Sequence, residues 1–68
     1  MDKAVRTFLN EIKPARKAAQ LTLEQLGELV GVGKSQIHYY EKLESEPSLG
    51  IALKISKELM IDFDWSLV

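Results

Sequence analysis

Apolar and polar residues at the start of the chain follow the period of an α-helix. The apolar residues stand three or four positions apart, with charged and amide side chains between them: Val5, Phe8, Leu9 and Ile12. This spacing places them on one face of an amphipathic helix. Pro14 lacks a backbone N–H, and its ring crowds the carbonyl four residues earlier. We therefore expect the helix to kink there, or to restart with Pro14 in its first turn and continue to residue 19.

Start and stop signals predict a short second helix. Thr22 is followed three residues later by Gln25, the spacing of a capping box, in which two side chains satisfy backbone donors at the start of a helix. We expect this helix to run from about Leu23 to Val30. Gly31 can adopt the positive φ that ends a helix, and it begins a tight turn.

A third helix is expected after the turn, over roughly Lys34 to Lys42. Ile37 and Tyr40 are three residues apart and face the core. Tyr39 stands about 100° from Tyr40 around a helix, so only one of the two rings can point fully inward. We expect Tyr40 to be buried and Tyr39 to be exposed.

The last third of the chain predicts a fourth helix after a loop at residues 44–47. Ser48 has the side chain of an N-cap, and the helix after it has an expected apolar face of Leu49, Ala52, Leu53, Ile55, Leu59 and Met60. After a break near residues 61 and 62, we expect a fifth, short helical turn at residues 63–67. The pattern contains no strand signal, repeat or linker, so we expect a single domain over residues 1–68.

The window from Leu23 to Lys42 meets the steric demands of a helix-turn-helix. Its fifth residue, Gly27, stands where two steeply crossing helices approach too closely for a large side chain. Its ninth residue, Gly31, stands at the turn, where a left-handed backbone is needed. Pairs of short helices with a glycine turn occur in many bundles. Here, however, every position that must face the shared core is also apolar: Leu26, Val30, Val32, Ile37 and Tyr40.

These motifs resemble those of the phage repressor and Cro family, also called the Xre-like helix-turn-helix family. The resemblance extends without gaps from about Ile12 to Leu67. It is carried by Leu21-Thr22, Leu26, Gly31-Val32, Ser35, Ile37, Glu41, Pro47-Ser48-Leu49, Leu53-Lys54-Ile55 and Asp64-Trp65. It implies an all-α, lambda-repressor-like DNA-binding domain of five short helices, with the helix-turn-helix at helices two and three.

In that family the third helix lies in the DNA major groove, and the start of the second helix meets phosphates. The resemblance implies base contacts from Lys34, Ser35, Gln36, His38 and Tyr39, and phosphate contacts from Lys13, Lys17, Thr22, Gln25 and Lys42. Lysine and glutamine suit guanine and adenine edges, and a tyrosine ring can pack on a thymine methyl. The family also pairs an arginine of helix one with a glutamate late in helix three, which implies a structural salt bridge between Arg16 and Glu41.

The resemblance further implies a transcription regulator, either a repressor or Cro-like, that binds double-stranded operator DNA. We expect a homodimer in which each third helix meets a half-site about one helical turn from its mate. The apolar residues near the end of the chain either close the core or form the dimer surface: Phe63, Trp65, Leu67 and Val68.

Composition narrows where a DNA surface can lie. The net charge of −1 gives no overall attraction to phosphate, so DNA binding requires a local basic surface. Residues 1–42 contain seven Lys and Arg against five acidic residues, whereas residues 43–68 contain two against five. The N-terminal part is therefore the better candidate for the DNA-facing side.

Other chemistries find little support. The chain has no cysteine and a single histidine, His38, so a zinc site would lack ligands. No nucleophile, base and orienting group recur together, and the serines suit surface, cap or DNA-contact roles: Ser35, Ser45, Ser48, Ser56 and Ser66. We expect no enzyme activity, cofactor, metal or small-molecule ligand. Since no membrane span or signal peptide pattern is present, we expect a cytoplasmic protein without membrane contact.

A second hypothesis keeps the fold and changes the partner. Leu23 stands where the family often has Gln, Leu43 replaces a common Gly, and Glu44 and Glu46 occupy a loop that is often basic. With Tyr39, these residues place apolar and acidic groups near the expected DNA side, where they suit a protein partner. The alternative function is a protein-interaction module, antitoxin-like or antirepressor, with weak or no DNA binding.

Overall fold

A computed structural model of the chain describes residues 2–62. Within this range it contains four α-helices and no strand: α1 (Lys3–Ala18), α2 (Leu23–Val30), α3 (Lys34–Glu41) and α4 (Leu49–Leu59). The predicted second and third helices are confirmed within a residue at each end, and the fourth helix follows its expected N-cap, Ser48. The fifth helical turn expected at residues 63–67, and the dimer surface expected from Phe63, Trp65, Leu67 and Val68, lie outside the described residues.

The first helix is continuous through its proline. Its N-cap is Asp2, whose carboxylate accepts a hydrogen bond from the Ala4 backbone N–H at 2.8 Å. Pro14 lies inside α1, so the restart that we considered at this residue does not occur. Proline removes the donor that would reach the Asn10 carbonyl, but both residues are exposed, so water can satisfy that carbonyl.

One hydrophobic core joins all four helices. Its buried members are Phe8, Leu9, Ile12, Leu26, Val30, Ile37, Tyr40, Ala52, Ile55 and Leu59. Tyr40 is 3% exposed and Tyr39 is 43% exposed, which confirms the expected orientation of the two rings. Because Ile37 and Tyr40 both point inward, packing fixes the rotation of α3 about its own axis.

The expected apolar face of α4 is partly wrong. Leu49, Leu53 and Met60 are 62%, 46% and 89% exposed, although they were expected to pack inward. Helix α4 packs against α1 and α2 on the side centred on Ile55. Leu49 and Leu53 stand more than about 100° from that side around the helix, so the neighbouring helices do not cover them. Met60 lies just past the end of α4, where its φ of 56° takes the chain out of the helix.

The end of α3 also departs from the usual glycine turn. Leu43 has a φ of 60°, the left-handed conformation that favours glycine. Backbone hydrogen bonds from Leu43 to Tyr40 (3.1 Å) and from Glu44 to Tyr39 (2.9 Å) close the helix end. The Leu43 side chain packs against the core, and this burial offsets a conformational cost of about 1–2 kcal/mol.

The close approach expected at Gly27 is present, and its partner is the turn itself. An ideal Cβ on Gly27 would lie 2.5 Å from the carbonyl oxygen of Val32 and 3.3 Å from the carbonyl carbon of Gly33. The Gly27 carbonyl accepts hydrogen bonds from the N–H groups of Gly31 (2.8 Å) and Val32 (2.9 Å). The turn is therefore folded onto α2, and no side chain fits between them.

Replacing Gly27 with alanine is expected to destabilise the domain by about 1–3 kcal/mol, because the new methyl group would meet backbone rather than a movable side chain. Gly50→Ala is the matched control, since a Cβ there meets nothing within 4 Å. That control is expected to gain about 0.5–1 kcal/mol from helix propensity. Urea unfolding followed by circular dichroism measures both. Equal stability of the two variants would contradict the steric role of Gly27.

Candidate nucleic-acid interface

The outward side of α3 presents most of the residues expected to contact bases. Lys34, Ser35, His38 and Tyr39 are exposed. The His38 and Tyr39 rings are tilted against each other, with centroids 5.9 Å apart. These four side chains occupy one continuous side of the helix because Ile37 and the residue three positions later hold the opposite side in the core.

Gln36 has a different environment from the other four. It is half-buried, and its Nε2 donates to the Ser45 hydroxyl at 3.1 Å. This bond joins α3 to the loop before α4 across nine residues of sequence, and no local signal indicates it. The structure thus holds Gln36 against the loop, and it does not group it with the exposed side chains of α3.

A cleft between the starts of α2 and α3 brings together residues with two expected roles. This α2–α3 cleft is lined by Thr22, Leu23, Glu24, Gln25 and Lys34. Thr22 and Gln25 were expected to meet phosphates, and Lys34 was expected to meet a base. The cleft also contains Glu24, an acidic residue for which the sequence pattern indicated no role at this surface.

The capping box leaves this cleft with hydrogen-bond donors. The Thr22 hydroxyl oxygen accepts from the Gln25 backbone N–H at 3.0 Å, and the Gln25 side-chain oxygen Oε1 accepts from the Thr22 backbone N–H at 2.8 Å. Both side-chain acceptors are therefore engaged within the cap. The hydroxyl proton and the amide hydrogens have no acceptor within residues 2–62, and donors are what phosphate oxygens require.

A second depression lies between α1 and the end of α3. This α1–α3 pocket is lined by Lys13, Arg16, Leu23, His38, Glu41 and Lys42. The pocket brings Lys13 of α1 and Lys42 at the end of α3 next to His38. Both lysines were expected to meet phosphates. Leu23 borders both the pocket and the α2–α3 cleft. Lys17 is exposed one turn beyond Lys13 and lines neither depression.

The salt bridge implied for Arg16 and Glu41 is present and connects three parts of the fold. Arg16 Nε donates to Glu41 Oε2 at 2.7 Å, and Nη2 donates to Oε1 at 3.2 Å. Nη1 donates to the Leu21 carbonyl at 2.9 Å. The side chains are 10% and 6% exposed. This bidentate pair ties α3 to α1 and to the loop that leads into α2.

Acidic residues limit the positive charge of the surface. Glu24 lines the α2–α3 cleft, and Glu44 and Glu46 are exposed in the loop after α3.

Within the described range no cluster of His, Cys, Asp or Glu could hold a metal ion. Over the same residues, no helix has the length and apolar character needed to cross a membrane.

Comparison with known proteins identifies a family. A family model described as Helix-turn-helix matches residues 12–66, which include all of α2, α3 and α4. No curated protein and no solved structure matches the chain.

Removing Arg16 is expected to be costly because it strands a buried carboxylate. Arg16→Met is expected to lower the free energy of unfolding by about 3–5 kcal/mol. The double variant Arg16→Met/Glu41→Leu is expected to recover a large part of that loss, since it buries no charge. Arg6→Met, exposed on the same helix, is the control and is expected to be neutral. Chemical unfolding measures all three. A double variant no more stable than Arg16→Met would contradict this account.

Proposed function

The chain belongs to the Xre/Cro-like helix-turn-helix family of DNA-binding transcription regulators, and from this premise we propose that it is a repressor or Cro-like regulator that binds double-stranded operator DNA with α3 in the major groove. The observation that carries the proposal is the side of α3 formed by Lys34, Ser35, His38 and Tyr39. It is exposed and polar, and the buried Ile37 keeps it turned outward.

Specificity in this proposal comes from the first turns of α3. Lys34 donates to guanine, Ser35 donates or accepts, and the Tyr39 ring packs on a thymine methyl. Gln36 acts through the position of its helix, because its amide is already bound to Ser45. His38 donates to or accepts from a base edge through its imidazole nitrogens.

Affinity in this proposal comes from the two depressions beside Leu23. The free donors of Thr22 and Gln25 in the α2–α3 cleft, and the ammonium groups of Lys13 and Lys42 at the α1–α3 pocket, suit consecutive stretches of one phosphate backbone. Lys17 contributes long-range attraction. The Arg16–Glu41 pair adds no net charge. It holds α3 and the loop before α2 to α1, so the two depressions keep their relative positions.

The regulator acts as a homodimer, so that two copies of α3 reach two half-sites. The exposed side chains of Leu49, Leu53 and Met60 support this arrangement, because three large apolar groups on one side of a small domain suit a protein contact. The C-terminal apolar residues expected at the dimer surface follow directly after them in the sequence.

The alternative, a protein-interaction module with weak or no DNA binding, is supported by fewer residues of the structure than of the sequence. Leu23 and Leu43 are half-buried and pack against the core, so they do not form an apolar patch for a partner. Glu44 and Glu46 still favour it. The two functions differ in salt dependence: affinity for DNA falls steeply with added salt when phosphates are neutralised, whereas the module shows no binding even at low salt.

In vitro selection of bound duplexes, followed by fluorescence anisotropy, tests the proposed function. Lys34→Ala is expected to weaken binding to the selected duplex by about 1–3 kcal/mol and to weaken binding to random DNA less, as loss of a base contact requires. Lys57→Ala, exposed on α4, is the control and is expected to change neither. An equal loss on both duplexes would assign Lys34 to phosphate instead. Selection of no sequence, with no binding at low salt, would contradict the function.

Leu53→Glu is expected to dissociate the homodimer, because it places a charge in an apolar contact while the side chain is half exposed in the monomer. Sedimentation velocity over a range of protein concentrations measures the change. Gln20→Glu adds the same charge at an exposed position of the α1–α2 loop and is the matched control. A dimer that survives Leu53→Glu, with unchanged dissociation constant, would exclude this side of α4 from the interface.

A further inference from the structure

The α2–α3 cleft contains one carboxylate among hydrogen-bond donors. Thr22, Gln25 and Lys34 contribute O–H or N–H groups to it. The ionised side chain of Glu24 has acceptor oxygens and no hydrogen to donate. Glu24 is the second residue of α2, and Lys34 is the first residue of α3. The cleft therefore presents a negative group and a positive group, from two different helices, at one concave surface.

Glu24 and Lys34 do not pair with each other. Neither side chain forms a hydrogen bond or an ion pair with any residue in the range 2–62, and both are exposed. The capping box at the start of α2 is complete with Thr22 and Gln25, so it does not use the Glu24 carboxylate. Both charges therefore remain available to a ligand that enters the cleft.

A carboxylate on a DNA-binding surface restricts which DNA can approach it. Phosphates repel it, and an approach that removes its water without supplying a donor costs free energy. The major groove offers it two kinds of donor, the N4 amino group of cytosine and the N6 amino group of adenine. Glu24 thus fits DNA best where one of these amino groups faces the cleft.

Lys34 favours cytosine over adenine as the partner of Glu24. The Lys34 ammonium suits the O6 and N7 acceptors of guanine, which the proposed function already assigns to it. Guanine pairs with cytosine, whose N4 amino group lies beside the guanine O6 in the same groove. A donor from α3 and an acceptor from α2 at one cleft therefore match the two halves of a G·C base pair.

We propose that Glu24 is a specificity-determining residue, which accepts a hydrogen bond from the N4 amino group of the cytosine paired with the guanine that Lys34 contacts. This inference rests on the proposed function and deepens it, because it names a base pair of the operator. It gives Glu24 opposite effects on two kinds of DNA. On the matching sequence the amino group satisfies the carboxylate, and on other sequences the carboxylate stands unpaired among phosphates.

Fluorescence anisotropy of the full chain on selected and random duplexes, at constant ionic strength, measures these effects. Glu24→Ala is expected to bind the selected duplex about five- to fiftyfold more weakly. The same variant is expected to bind random DNA about two- to fivefold more tightly, because one repulsive charge is removed. Glu28→Ala is the matched control, since Glu28 is exposed one turn later on α2 and does not line the cleft. This control is expected to change both affinities by the same factor.

In vitro selection identifies the base that Glu24 reads. The wild type is expected to select a G·C pair at the position where Lys34→Ala loses its preference for guanine. Glu24→Gln keeps the length of the side chain, and its amide suits the N6 and N7 atoms of adenine. This variant is therefore expected to lose the preference for cytosine there and to accept adenine in its place. Glu28→Gln is expected to keep the wild-type preference.

A cytosine analogue that lacks the 4-amino group isolates the proposed hydrogen bond. Placed opposite that guanine in the selected duplex, it is expected to weaken wild-type binding about five- to fiftyfold and to change the affinity of Glu24→Ala much less. Both proteins meet the same altered duplex, so a change in the DNA itself affects them equally. The difference between the two losses therefore reports the contact between Glu24 and the amino group.

A purely structural role of Glu24 gives a different result. A carboxylate in the first turn of α2 also interacts favourably with the helix N-terminus. With that role alone, Glu24→Ala is less stable in urea, lowers both affinities by one factor and keeps the selected sequence. This outcome would overturn the inference. Equal strengthening on both duplexes would overturn it as well, since it would assign Glu24 to phosphate repulsion alone.

Failure of the proposed function is distinguishable from failure of this inference. A wild-type protein that binds no duplex at low salt would contradict the proposed function, and the inference with it. A different result concerns Glu24 alone: the wild type binds a selected duplex through Lys34, yet Glu24→Ala is as sensitive as the wild type to the missing amino group. That result would overturn the role of Glu24 while the DNA-binding function stands.

Discussion

The contact of Gly27 with the backbone of residues 32 and 33 determines how α3 leaves α2. With a carbonyl oxygen 2.5 Å from the place of a Cβ, the two segments are as close as backbone packing permits. The left-handed Gly31, with a φ of 83°, makes the sharp reversal possible. The outward side of α3 depends on this geometry, because it turns Ile37 inward and leaves Lys34 and Ser35 at the surface.

The Arg16–Glu41 pair restrains the other end of α3. The turn holds the start of the helix to α2, and the salt bridge holds its last turn to α1 through two hydrogen bonds from one guanidinium to Glu41. A short helix of eight residues gains little stability by itself, so these two attachments and the core contacts maintain its position. Arg16 and Glu41 also line the α1–α3 pocket.

Positive charge on the surface is local. The whole chain has a net charge of −1, yet Lys13 and Lys42 meet at one pocket while Glu41 is neutralised within it. At the start of α2, the cap uses the acceptors of Thr22 and Gln25 and leaves their donors available. Net charge is thus a poor guide to the local charge of the surface here, because short-range pairing decides which charges remain unmatched.

By itself the sequence determined the bounds of α2 and α3, the capping box, the glycine turn and the inward positions of α3, because each depends on residues within one or two helical turns of one another. Only the tertiary structure decided which apolar residues of α4 are covered, that Gln36 binds Ser45, and that His38 shares a pocket with Lys13. These features arise between segments distant in the chain. A single helix sequence does not specify which of its sides a neighbouring helix will cover, since that depends on the angles at which all the helices pack.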